Sequence, residues 1–99
     1  MDIFCKIIKK EAEAKILYED EDILAFLDKD PQTKGHTLII PKKHYEGILD
    51  IPENILNKIL AYTKLRAKEL SKDYKGIKIG FNSGTANEIG HFHLHILGQ

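Results

Sequence analysis

His91-Phe92-His93-Leu94-His95-Ile96-Leu97 sets three of the chain's five histidines at every second position, with bulky apolar residues between them. Strict alternation is the pattern of a strand. Successive side chains of a strand point to opposite faces, so His91, His93 and His95 share one face and Phe92, Leu94 and Ile96 the other. Neighbouring histidines then stand roughly 6–7 Å apart, two strand rises. A surface strand accepts Lys, Thr or Glu at such positions as readily as His, so a row of imidazoles backed by an apolar row points to chemistry. Two chemistries suit it. Neutral imidazole is a common metal ligand, and histidines two apart on a strand can share an ion. Neutral imidazole is also a nucleophile toward phosphorus, with its neighbours managing protons and charge.

Outward from that stretch, the chain reads as one small domain over residues 1–99. Ile3, Phe4, Ile7 and Ile8 are spaced as an amphipathic helical turn or two, with Asp2 as N-cap. Ile16–Glu19 and Ile23–Leu27 read as a hairpin across Asp20-Glu21-Asp22, the second a continuous apolar run and so a strand with little solvent exposure. Asp28 to Gly35 is a loop by its Asp, Pro and Gly. His36–Ile40 is a β-branched strand stopped by Pro41. Asp50-Ile51-Pro52-Glu53 reads as a helix start capped by Asp50, and the helix runs to about Asp73 with Leu56, Ile59, Leu60, Thr63, Ala67 and Leu70 as its buried stripe. Ile77–Phe81 alternates as a strand. The loop Asn82 to Gly90, rich in Gly, Ser and Asn, can turn backbone N–H groups toward an anion just before the histidines.

Composition narrows the class. The chain is 42% hydrophobic and 30% charged, ordinary for a soluble globular protein. Fifteen Lys and Arg balance fifteen Asp and Glu, which argues against a nucleic acid or membrane surface held by bulk charge. The one cysteine, Cys5, excludes an intramolecular disulfide and fits a reducing cytoplasm. If the ligand is a phosphate ester or phosphoramidate, His93, centred between two histidines, is the natural nucleophile. The loop 83–89 then supplies donors to the nonbridging oxygens, and His91 or His95 holds the phosphoryl or leaving group.

The histidine stretch resembles the signature of the histidine triad (HIT) family, His-x-His-x-His followed by two apolar residues. Ile3-Phe4-Cys5-Lys6-Ile7-Ile8, Tyr18-Glu19-Asp20, Leu24–Asp28 and Lys34–His44 resemble the Hint branch of that family, in the family's order. The resemblance implies an α+β fold, a five-stranded antiparallel sheet with a long helix and a short N-terminal helix, the sheet continued across a homodimer. It implies binding of a purine nucleotide such as AMP or GMP. The implied reaction is hydrolysis or transfer at the α-phosphate of phosphoramidates, dinucleoside polyphosphates or acyl nucleotides, with His93 nucleotidylated and no cofactor required. His36, His91 and His95 match the other active-site histidines. Asp28 matches the residue that holds the ribose hydroxyls. Ile3, Phe4, Ile7 and Leu38 match the base pocket, and Asn82 a phosphate-side asparagine. Bacterial relatives often bind a structural zinc; the corresponding residues here are Asp2, Cys5, His44 and His91, with Asp2 in place of a cysteine. The loop before the triad is about two residues short, Asn87 stands for a glutamine, and Glu88 lies near where a serine meets phosphate. The family's usual tail past Gln99 is absent from the sequence. A nucleotide-binding module with little turnover, and a metal protein whose histidines are all ligands, are the competing expectations.

Overall fold

Ile23–Leu27 (β2) and Thr37–Pro41 (β3) are almost entirely buried and pair antiparallel over five residues each. A computed structural model of the chain describes residues 2–87 and 89–99, Thr85 by its backbone alone. Around this pair, in chain order, stand α1 (Ile3–Ile8), β1 (Ile16–Glu19), α2 (Glu53–Leu70), β4 (Ile77–Gly80) and β5 (Leu94–Gly98). The strands form one antiparallel sheet in the order β1-β2-β3-β5-β4. The expected architecture is observed: five strands, one long helix and one short N-terminal helix.

The apolar runs of β2 and β3 follow from cover on both faces. Ile23, Ala25, Ile39, Leu94 and Ile96 face α2 and pack with Ile55, Ile59 and Phe92. Leu24, Phe26, Leu38 and Ile40 face the other way and pack with Phe4 and Ile7 of α1. Burying each large side chain contributes about 1.5–3 kcal/mol, so the sheet is anchored from both sides. His93 and His95 lie on the α1 face, which α1 covers only in part.

Several local expectations need correction. Asp50 does not cap α2; its carboxylate accepts from the N–H groups of Glu46 and Gly47, and Pro52 is the N-cap with no side-chain bond. Asp50 is therefore committed to the preceding turn. The helix ends at Leu70 rather than near Asp73, and its buried residues are Ile55, Ile59, Thr63 and Leu70. Leu60 is exposed, because the stripe turns one residue toward Ile55. Pro41 ends β3 inside the ladder, paired with Ile23, where its missing N–H is tolerated at the last position. His36 precedes β3. Among the described residues no helix is long and apolar enough to cross a membrane.

Candidate functional site

The strand expected from His91 begins only at Leu94. The three residues before it use their backbone elsewhere. Phe92 N–H donates to the Tyr45 carbonyl at 2.6 Å. The His91 carbonyl accepts from His93 Nδ1 at 2.9 Å and from Asn87 Nδ2 at 3.3 Å. The alternation of faces still holds: Phe92, Leu94 and Ile96 enter the core beside α2. On the other side, the Phe4 ring meets His91 and His93 at centroid distances of 5.7 and 4.9 Å, and His93 meets His95 at 4.9 Å.

A carbonyl can only accept, so His93 Nδ1 carries the proton and, in the neutral ring, Nε2 keeps a lone pair. The same logic fixes the other rings. Gln32 N–H donates to His36 Nδ1 at 3.2 Å, so the His36 proton sits on Nε2. That proton points at His95 Nδ1, 2.9 Å away, with Asp28 Oδ2 at 3.5 Å behind it. His95 therefore carries its own proton on Nε2. His91 Nε2 donates to the Pro41 carbonyl at 3.0 Å, which leaves Nδ1 as its lone pair. Three histidines on one stretch thus present a lone pair at His91 Nδ1, a lone pair at His93 Nε2 and a donor at His95 Nε2.

Burial and the neighbouring His93 and His36 hold the His95 pKa down to about 4, so the free protein carries His95 neutral at pH 7. Burial likewise lowers His91. His36 is brought to the site by the loop before β3. Gly35, at φ +90° and tight against Leu70, turns the chain there, and a Cβ would meet Leu70 Cδ2 at 2.9 Å. Arg66 of α2 ties Gly35 and Thr37 down on either side of His36.

A cavity of about 380 Å³ opens over this face, lined by Ile3, Phe4, Ile7, Phe26, Asp28, Leu38, His93 and His95 among others. The expected base-pocket residues and the expected ribose-binding carboxylate therefore line one cavity together with His93 and His95. Ile89, Ala14 and Lys15 also line it; their sequence neighbourhoods carry no signal that marks them. Asn82 lies elsewhere, in a separate hollow on the β4 side of His95. Asn87 is buried, and its carboxamide is fully engaged: it donates to Glu46 O and His91 O and accepts from the N–H groups of Ile89 and Gly90. Its place is to hold the loop and the His91 carbonyl. Three loop amides, those of Asn87, Ile89 and Gly90, are turned inward and do not face an anion. Glu88 lies outside the described residues.

At the other end of the stretch Asp2, Cys5, His44 and His91 form a second cluster. Asp2 Oδ2 stands 3.2 Å from His44 Nδ1 and 3.3 Å from His91 Nδ1. Cys5 Sγ stands 3.5, 3.7 and 3.6 Å from Asp2 Oδ2, His44 Nδ1 and His91 Nδ1. Bond lengths of about 2.0–2.1 Å to O and N and 2.3 Å to S give tetrahedral edges of roughly 3.3 Å between light atoms and roughly 3.6 Å to sulfur. The donor set fits a tetrahedral divalent ion. Asp28, His36 and His95 also lie close together. There, however, the short His36–His95 contact has a donor on one ring and an acceptor on the other, which is a hydrogen bond.

A profile of the HIT domain matches residues 9–99. An uncharacterized HIT-like protein of Methanocaldococcus jannaschii is 45% identical over 98% of this chain and 78% of its own length. The crystal structure of a HIT family hydrolase from Legionella pneumophila is 39% identical, with a TM-score of 0.86 over 99% of this chain and 92% of that one. A hypothetical histidine triad nucleotide-binding protein from Sulfolobus tokodaii is 37% identical, with a TM-score of 0.85 over 97% of this chain and 67% of that one. With the profile spanning nearly the whole chain and its histidine run in place, this protein belongs to the histidine triad (HIT) family.

Proposed function

We propose that the protein is a purine nucleotide-binding hydrolase or transferase of the Hint type, acting at an α-phosphate through a nucleotidyl-His93 intermediate. The observation that carries this reading is the His93–His91 carbonyl bond, which leaves Nε2 unprotonated on a ring that lines an apolar cavity. The base lies against Ile3, Phe4, Ile7 and Leu38, and Asp28 takes the ribose hydroxyls. His93 Nε2 bonds to phosphorus, and the bond to the leaving atom breaks with its electron pair going to that atom. The phosphate anion beside His95 favours its protonated form, in which Nδ1 takes up a proton and its bond from His36 gives way, and the Nε2 proton goes to the leaving atom. Water then attacks phosphorus, the P–Nε2 bond breaks with its pair returning to nitrogen, and a water proton returns to His95. His95 also donates to the nonbridging oxygens, where charge collects.

Asp2, Cys5, His44 and His91 would hold a zinc ion, which supplies charge and a tether between α1 and the sheet. His91 would serve as ligand rather than reactant. The neutral relay from Gln32 through His36 to His95 sets the donor. A homodimer completes the reading: β4 is an edge strand, and its Ile79 is 48% exposed, so a second β4 paired there would continue the sheet.

The test is incubation with adenosine 5′-phosphoramidate. AMP release, with an adenylate carried by the His93 peptide in mass spectrometry, supports the reading. Binding without release, unchanged in His93→Ala, marks a nucleotide-binding module instead. Metal analysis with and without chelator addresses the all-ligand reading, which fails if AMP release survives complete metal removal.

A further inference from the structure

A second hollow, of about 270 Å³, opens on the β4 side of His95 and is bounded by Gln32, Lys78, Gly80, Phe81 and Asn82. Among the described residues His95 alone borders both hollows. In the β4–β5 ladder Gly80 stands opposite His95, and Lys78 opposite Leu97. Opposed residues share a face, as do residues two apart, so Lys78 and Gly80 lie on the histidine face of the sheet. A Cβ at Gly80 would meet nothing within 4 Å. The space beside His95 is therefore kept open by a missing side chain. Lys78 is exposed, and among the described residues it forms no ion pair. The described lining holds this cation and two carboxamides, and no carboxylate.

The nucleoside cavity lies over β2, β3 and α1. In-line attack by His93 drives the leaving atom away from Nε2, and the unfilled space beyond His95 is this second hollow. The geometry points to that hollow as the seat of the leaving group, and to Lys78 as the residue that favours a leaving group bearing a carboxylate or phosphate over a neutral one. This rests on the nucleotidyl-His93 reading. An exposed charge pair contributes a factor of about five at most, screened by salt.

The experiment compares kcat/KM for two adenosine 5′-phosphoramidates, of β-alanine and of β-alaninamide, which differ only in carboxylate against carboxamide. The wild type should favour the β-alanine substrate by about fivefold. Lys78→Arg should keep that preference, Lys78→Gln should bring it to about one, and Lys78→Glu should invert it. Raising the salt should move the ratio toward one in the wild type, Lys78→Arg and Lys78→Glu, and leave that of Lys78→Gln unchanged. AMP release with one ratio in all four proteins overturns the role of Lys78 and leaves the hydrolase reading standing. No AMP release from either substrate by the wild type overturns the hydrolase reading and this inference with it.

Discussion

His91 and His93 are two residues apart on one extended stretch, on one face, both touching the ring of Phe4, yet the structure prepares them for opposite duties. His91 gives its Nε2 proton to the Pro41 carbonyl and turns Nδ1 toward a carboxylate, a thiol and a second imidazole. His93 gives its Nδ1 proton to the His91 carbonyl and turns Nε2 toward the cavity. The side chains are identical and both are buried; a backbone carbonyl, in each case, decides which nitrogen remains reactive. The His91 residue serves both clusters at once, its ring at one and its carbonyl at the other.

The sharpest way to break the comparison is to remove the nucleophile. His93→Ala should lower AMP release by at least about 10³-fold while nucleotide binding, measured by calorimetry, persists. His91→Ala, by contrast, should weaken binding at the proposed zinc site, which His93→Ala should leave alone. Next in size is His95→Gln. It removes the proton carrier and should lower kcat by about 10²–10⁴-fold, with a smaller change in KM.

Much of this contrast was legible in the sequence, and the part that was not has a common cause. Alternation places Phe92, Leu94 and Ile96 in the core and the histidines on the opposite face, because a strand's geometry depends only on position along the chain. The low exposure of Ile23–Leu27 was readable from its unbroken apolar run. What escaped was every role played by a backbone group. The Gln32 N–H that sets the His36 tautomer, the Pro41 carbonyl that turns His91 and the amides gathered by Asn87 have no side-chain signature. The delayed start of β5 has the same origin, since Phe92 and His91 commit their backbone to Tyr45, His93 and Asn87. Asp50 misled because an Asp before Ile-Pro-Glu fits a cap and a turn equally well, and the turn's N–H groups were nearer. Bringing His36 to His95 across 59 residues lay beyond any spacing rule; the family resemblance supplied it.

Asn87 gives a smaller test of the same comparison. Asn87→Ala deprives two N–H groups of their acceptor and the His91 carbonyl of one donor. It should cost about 1–3 kcal/mol in a urea titration and reduce AMP release less than His95→Gln does. The smallest expected effect is on the pH dependence of stability. His95 titrates near 4 when folded and near 6.5 when unfolded, so between those values the unfolded chain binds the proton that the folded one refuses. Stability present above pH 6.5 is therefore lost as pH falls toward 4. Urea midpoints at pH 7.5 and 5 should show that drop in metal-free protein, and His95→Gln should shrink it, leaving the part due to buried His91; an equal drop in the variant would place its origin elsewhere.

The account turns on which nitrogen of each ring holds the proton. Long-range ¹H–¹⁵N correlation spectra of the protein at pH 7 read this directly. The expected result is His93 protonated at Nδ1 with a lone pair at Nε2, beside His95 protonated at Nε2. A His93 ring carrying its proton on Nε2 would leave no nucleophile facing the cavity and would contradict the account.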